Sequence, residues 1–342
     1  MSDLIARVED RAGRITLNRP DALNALTHEM ALEMERVLRA WAEDPAVALV
    51  IVDATGDRAF CAGGDIQKLY ETGRAGDFAY GQRFWADEYR LNALIAGYAK
   101  PYVAAMQGFV MGGGVGISAH GSHRIVTETT QVAMPECGIG LIPDVGGSHL
   151  LAQAPGHLGA YLGLTGTRMG PADAILAGFA DHFVPAARLA SVLEEAAEAG
   201  DPAAIVMAAA DPPPGELAAR REAVDAAFAS GDAAAILAQL PEADWAGAAA
   251  KAIRRGSPLS IACALHTIRA AQREPGVAAA LRREYRFVAR CMEYGDFLEG
   301  IRAAVIDKDR SPQWSAASVE GLTPDRVSAM LAPLPDGDLA LG

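Results

Sequence analysis

"KPYVAAMQGFVMGGGVGIS", residues 100–118, decides the fold. Its first part, Lys100 to Gly108, reads as a buried strand. The triple glycine that follows opens a helical stretch, "GGGVGISAHG" (112–121), and "HRIVTET" (123–129) reads as a strand again. Strands separated by helices need crossover connections, so the sheet is parallel or mixed rather than one face of a sandwich. The same rhythm runs toward the N-terminus. "VALVIVDAT" (47–55) is the β-branched run of a buried parallel strand, and "RITLNRP" (14–20) is a strand ending at a proline turn. Between them "HEMALEMERVLRAWAED" (28–44) spaces Met30, Met34, Val37, Leu38 and Trp41 as the inward stripe of a helix capped by Thr27. The predicted class is α/β.

Toward the C-terminus the character changes near residue 185. "LASVLEEAAEAG" is followed by the proline break "DPPPG" (211–215), read as a stiff linker or turn, and then by alanine-rich helical stretches to about 307. The expected organisation is a core over 1–190, a helical region over 191–330 and a frayed tail over 331–342. Aromatic residues are only 6% of the chain, so small, closely approaching side chains are expected to dominate helix packing in the second half.

Composition excludes several classes. A net charge of −13 argues against nucleic-acid binding, which needs clustered Lys and Arg, and leaves an anionic ligand dependent on a local basic patch. Cys61, Cys137, Cys263 and Cys291 show no CxxC spacing, so reduced, partly buried thiols are expected rather than disulfides or a zinc site. The N-terminal residues lack the features of a secretory signal or an organellar presequence. No stretch approaches eighteen uninterrupted apolar residues. The expectation is a cytoplasmic protein with no membrane partner.

Three glycine-bearing segments carry the chemistry. "FCAGGDI" (60–66) follows a strand, and "MGGGVG" (111–116) leads into a helix, where free N–H groups suit an anion or a developing oxyanion. Neither has the Lys-Ser/Thr ending of a P-loop or the pattern of a dinucleotide fingerprint. Tight helix–sheet packing is the plain alternative for either one alone. The third, "MPECGIGLIPDVGG" (134–147), holds Glu136 and Asp144 in a run with no Lys, Arg or His. Taken singly, Glu136 could be a capping carboxylate and Asp144 a turn residue after Pro143.

Together, "ITLNRPDALNALT", "FCAGGDI", "KPYVAAMQGFVMGGGVGIS" and "MPECGIGLIPDVGGSHLL", in this order, resemble the crotonase (enoyl-CoA hydratase/isomerase) superfamily over at least residues 10–185. The resemblance implies a ββα spiral core with a C-terminal α-helical region and an acyl-CoA substrate. It also implies an oxyanion hole made by the backbone N–H groups of Gly64 and Gly113. Hydratases of the superfamily carry a Glu two residues after the triple glycine, where this chain has Gly116, and usually glycine where it has Asp144. "PE" with "PDVGG", "EYRLN" (88–92) and "EGIRAAVIDKDRSPQW" (299–314) are instead similar to the branch that hydrolyses 3-hydroxyisobutyryl-CoA in valine breakdown.

In that branch the substrate-contacting positions fall on Glu88, Gly113, Glu136 and Asp144. The resemblance gives Glu136 the role of base or nucleophile. Asp144 would bind the 3-hydroxyl or manage the proton, with the roles open to exchange. For Glu88 an exposed helical turn is the alternative. An enoyl-CoA hydratase or isomerase and a non-catalytic acyl-CoA-binding protein are the competing readings. Lys100, Lys68 and Arg58 are candidates for the CoA phosphates, while Lys308 and Asp309 are expected to serve structure. His120, His123 and His149 lack spaced partners, so no metal is called for, and CoA is part of the substrate rather than a separate cofactor. A homo-oligomer is possible, with monomer, dimer and trimer all allowed.

Overall fold

The computed structural model describes residues 2–341. Among these described residues nine strands form two sheets: β1 (Leu4–Glu9), β2 (Ala12–Leu17), β3 (Leu49–Ala54), β4 (Ala59–Cys61), β5 (Tyr102–Met106), β6 (Phe109–Met111), β7 (His123–Val126), β8 (Gln131–Ala133) and β9 (His182–Phe183). The larger sheet has the order β1-β2-β3-β5-β7-β9 and the smaller β4-β6-β8. Apart from the antiparallel β1–β2 pair, every pairing is parallel. The chain thus visits a strand of the large sheet, then one of the small sheet, then returns, three times over. This is the ββα spiral that the motifs imply. β1 went unread in the sequence, although "LIARVE" (4–9) pairs with the whole of β2.

By packing, the chain divides into two compact units that do not follow the linear cut at 190/191. One comprises the residues up to Gly64, Arg90–Ala133 and Arg168–Ala218; the other comprises Asp65–Tyr89, Met134–Thr167 and the chain from Ala219 on.

The first unit holds both sheets. Ile51, Val103, Ala105 and Ile125 present one face of the large sheet to Val192, Leu193 and Ala196 of the helix Ala186–Ala199. The helix His28–Glu43 is capped as expected, with Thr27 Oγ1 accepting from the Met30 N–H at 3.1 Å. It lies close on β2 because Gly13 has no side chain: a Cβ there would sit 2.4 Å from the Trp41 ring. The proline break is tied rather than loose, since the Asp173 carboxylate accepts from the Glu216 and Leu217 N–H groups at 3.1 and 3.0 Å.

The second unit is helical. Residues 65–89 and 134–167, expected in the core, belong here because helices of the C-terminal half fill against them. Gln82 donates to the Ala289 carbonyl at 2.9 Å, and a Cβ on Gly163 would meet Ile268 at 2.8 Å. Small side chains do permit close approach, as at Gly159 over the Leu151 carbonyl. Rings contribute more than composition suggested: Tyr161 meets Phe228 and Trp245 edge-on at 5.4 and 5.9 Å, and Trp85 meets Phe297 at 5.6 Å. The tail is a second correction. Rather than fraying, it docks, with Asp338 gripped by Arg286 through two hydrogen bonds and with Leu339 and Leu341 buried. No helix among the described residues is long and apolar enough to cross a membrane.

Candidate active site

The glycine corner lies wholly in the first unit. β4 ends at Cys61, and the chain turns through Gly63 at φ 113°. β6 ends at Met111, and the chain turns through Gly112 at φ 50°, both in the half of backbone space that favours glycine. The two turns are pressed together. A Cβ on Gly114 would lie 2.2 Å from the Cys61 carbonyl oxygen, and one on Gly63 would come 3.4 Å from that of Met111 and 4.0 Å from the Gly113 nitrogen. Leu26 N–H donates to the Gly63 carbonyl at 2.8 Å, which anchors the first turn by its oxygen. Neither the Gly64 nor the Gly113 N–H donates a hydrogen bond among the described residues. For Gly113 this follows from its place as first residue of a helix, Gly113–Gly116, whose opening N–H groups have no partner inside it. That helix is a single turn, shorter than the stretch to 121 read from the sequence, because glycine is a poor helix former.

The carboxylates lie in the second unit. Glu136 opens a short 3₁₀ turn, Glu136–Ile139, and Asp144 follows Pro143. Glu88 and Tyr89 lie on the helix Phe78–Ala96, and the Tyr89 hydroxyl donates to Asp144 Oδ2 at 2.8 Å. A fourth acid, Glu284, projects from the buried face of the helix Val277–Cys291. It accepts from the N–H groups of Gly146 (2.8 Å) and Ser148 (2.9 Å) and from the Ser148 hydroxyl (2.5 Å). Glu88, Glu136, Asp144 and Glu284 are 2%, 4%, 4% and 0% exposed, so these are interior acids, and the exposed-turn alternative for Glu88 fails.

Burial without a paired cation sets their electrostatics. Asp144 is pushed up to about 7, first by burial and then by the charge of Glu284, against the hydrogen bond from Tyr89. Burial also lifts Glu284 to about 7, opposed by the Ser148 hydroxyl and the two amides. Glu136 and Glu88 are driven well above the usual carboxylate range by burial and then by Asp144. Arg283, beside Glu284 in sequence, places its guanidinium on Glu274 at 2.7 Å. All four acids therefore hold their protons to higher pH than a free carboxylic acid does, Asp144 and Glu284 to about 7, and as neighbours they titrate as a group, the condition under which one accepts a proton while another holds one.

Two oxygens here have no partner, Glu88 Oε1 and Glu136 Oε2. Leaving such a group unpaired costs about 1–3 kcal/mol, a cost that a ligand's hydrogen bonds would remove. Gly116 is buried and has no side chain to offer as an acid.

Other expected residues fall elsewhere. Lys100 is not available for a phosphate, because its ammonium donates to the Trp41 and Asp44 carbonyls (2.5 and 2.6 Å) and closes the end of the helix His28–Glu43. Lys68 and Arg58 are exposed. His123 stacks on His182 and bonds Ser122, and His149 accepts from the Gly276 N–H. No trio of His, Cys, Asp or Glu is arranged to hold a metal ion among the described residues. All four cysteines are buried and free. Asp307 and Asp309 both bind Arg302, a structural role of the kind expected for this segment.

Sequence reading missed Tyr89 and Glu284 as site residues. Tyr89 stands in "EYRLN". Glu284 had a usable signal, since it falls in step with Ala280, Leu281, Phe287, Val288 and Cys291 on an inward stripe.

The sequence profile of the family described as enoyl-CoA hydratase/isomerase matches residues 12–331. A relative from Danio rerio named 3-hydroxyisobutyryl-CoA hydrolase, mitochondrial, is 38% identical and covers 99% of this chain and 92% of its own. One from Arabidopsis thaliana named 3-hydroxyisobutyryl-CoA hydrolase 1 is 39% identical over 92% of this chain and 87% of its own. Among solved structures, an enoyl-CoA hydratase from Rhodobacter sphaeroides superposes with a TM-score of 0.96 at 52% identity, covering 99% of this chain and 100% of that one. A carnitinyl-CoA dehydratase from Mycobacterium thermoresistibile gives 0.95 at 42% identity, over 100% and 99%.

Proposed function

Because the chain belongs to the enoyl-CoA hydratase/isomerase family, we propose that it hydrolyses a short 3-hydroxyacyl-CoA thioester, 3-hydroxyisobutyryl-CoA, to 3-hydroxyisobutyrate and CoA. The observation that carries this reading is the buried Glu136–Asp144 pair, with Glu136 Oε2 unpartnered and Asp144 poised near neutral pH. The names of the curated relatives support it.

In this mechanism the amides of Gly64 and Gly113 receive the thioester oxygen as it gains charge, a contribution of about 3–4 kcal/mol for each well-placed donor. Glu136, once ionised, removes a proton from water as its oxygen bonds to the carbonyl carbon, or attacks that carbon itself. The C–S bond then breaks and the leaving thiolate takes up a proton; where Glu136 has attacked, water then cleaves the acyl–Glu136 anhydride, releasing the acid and restoring the carboxylate. Asp144, held by Tyr89, meets the 3-hydroxyl or supplies that proton, and the unpartnered Glu88 Oε1 accepts from substrate. CoA enters as part of the substrate, with no separate cofactor.

A second reading, hydration of an enoyl-CoA, has the names of the two solved structures in its favour. Against it stands Gly116, which leaves the glycine corner without the acid a hydratase uses there. A thiol-release assay over 3-hydroxyacyl-, saturated acyl- and enoyl-CoA thioesters tests both. Preferential release of CoA from short 3-hydroxyacyl substrates is expected. Rapid loss of enoyl absorbance without thiol release would install the second reading, and silence on every substrate would leave a binding protein.

A further inference from the structure

We propose that Glu284 is a positioning residue for this reaction: from the helix Val277–Cys291 it clamps the turn between Asp144 and Ser148 and fixes where the Asp144 carboxyl points. The inference rests on the reading of Asp144 given above.

The turn needs such a clamp. Val145 sits at φ 52° and Gly146 at φ 79°, so a buried β-branched residue immediately after Asp144 occupies the left-handed region. Non-glycine residues there carry roughly 1–3 kcal/mol of strain and persist only where their surroundings over-determine them. Three of Glu284's hydrogen bonds supply that restraint, closing a link across 138 residues to Gly146 and 136 to Ser148. The tight Gly147 N–H to Asp144 carbonyl bond, 2.6 Å, completes the turn. Tyr89 holds the Asp144 carboxyl, and Tyr285, next to Glu284, packs edge-on against Tyr89 at 6.1 Å. The carboxyl is therefore held at both its backbone and its tip by elements that touch each other.

Glu284 also has an electrostatic hold on the same group. With two amides and a hydroxyl bonded to it, Glu284 is the member of the cluster whose ionised form is best solvated by protein. Its charge, second to burial, keeps a proton on Asp144 to higher pH against the hydrogen bond from Tyr89, while Arg283 offsets the charge of Glu284 and the buried Glu88, Glu136 and Cys291 also feel Asp144. Removing that charge should let Asp144 ionise at lower pH.

Glu284→Gln tests both holds. A Gln retains one oxygen but turns an NH2 toward a turn that offers donors. The expected result is a fall in kcat on the order of 10²-fold with KM nearly constant, as misplacement by about 1 Å would give. The pH limb governed by Asp144 should move to lower pH by on the order of one unit. Glu284→Asp, which keeps the charge but is too short for all three bonds, should lose kcat while leaving the limb near its wild-type pH. The same shift is readable without substrate, from the Asp144 carboxyl carbon titrated by NMR in wild type and Glu284→Gln. Folded Glu284→Gln with wild-type kcat and an unmoved Asp144 titration overturns the proposal. If Glu284→Gln fails to fold, Ser148→Ala, which removes only the hydroxyl donor, must move the limb in the same direction, or the proposal falls. Wild-type protein that releases no CoA from 3-hydroxyisobutyryl-CoA defeats the functional reading instead, and the NMR titration then still decides the role of Glu284.

Discussion

The glycine corner and the carboxylate cluster solve opposite problems. At Gly64 and Gly113 the groups on offer are backbone N–H donors, fixed by the turns of β4 and β6, without charge and without a proton to lose. At Glu88, Glu136, Asp144 and Glu284 the groups are buried acids whose charge the surroundings resist. Stabilising a transient charge needs only rigid dipoles, and glycine provides them at little cost beyond backbone entropy. Moving a proton needs a group that changes state, and holding it in a dry site keeps it destabilised. Strongly perturbed buried acids cluster at functional sites.

The comparison is broken most directly at Glu136. Glu136→Gln should lower kcat for thioester hydrolysis on the order of 10⁴-fold, since it deletes the proposed base or nucleophile and keeps the shape. Turnover within tenfold of wild type would remove Glu136 from the chemistry. Gly113→Pro addresses the other side: proline is tolerated at the first position of a helix, yet it has no N–H to donate. A fall in kcat on the order of 10²–10³-fold is expected, with the pH profile unmoved, because the lost group never titrated. A shift in pH dependence would show the two regions to be less separate than drawn.

Asp144→Asn sharpens the contrast through stability. Asp144 titrates near 7 when folded and near 3.8 when unfolded. Its contribution is therefore fully favourable below about pH 4 and is lost as the pH rises through about 7. Asparagine has no such loss and still accepts from Tyr89. Relative to wild type, the variant should gain stability on the order of 3 kcal/mol between pH 4 and pH 7, read from urea melts across that range. Parallel stability curves would mean that the buried acid carries no such penalty.

Legibility in the sequence follows the same division. Buried parallel strands announce themselves as β-branched runs, and Glu136 and Asp144 stood out because an apolar, proline- and glycine-rich stretch has no other reason to hold acids. Glu284 was hidden because "LRREYRFVAR" (281–290) looks like a solvated charged face, and only its register on the helix turns one of those charges inward. The tail misled for a related reason: Pro, Asp and Gly suggest fraying, whereas Leu339 and Leu341 supply the burial and Arg286 the anchor, neither of which is local.

Lys100 shows how far a family-based expectation can stray from local chemistry, and it gives the smallest effect. A lysine near the glycine motifs of a CoA-binding family is a natural phosphate ligand. Here its ammonium bonds the carbonyls of Trp41 and Asp44, where a helix ends with its last C=O groups unpaired and its dipole negative. A charge already spent on two half-buried carbonyls would have to abandon them to reach a phosphate. Lys100→Met should therefore destabilise the protein by about 1–2 kcal/mol, seen as a lower Tm, while KM for the CoA thioester stays within twofold. An unchanged Tm with a tenfold rise in KM would return Lys100 to the substrate. It would also mean that the glycine corner depends on a side-chain charge after all, as the carboxylate cluster does.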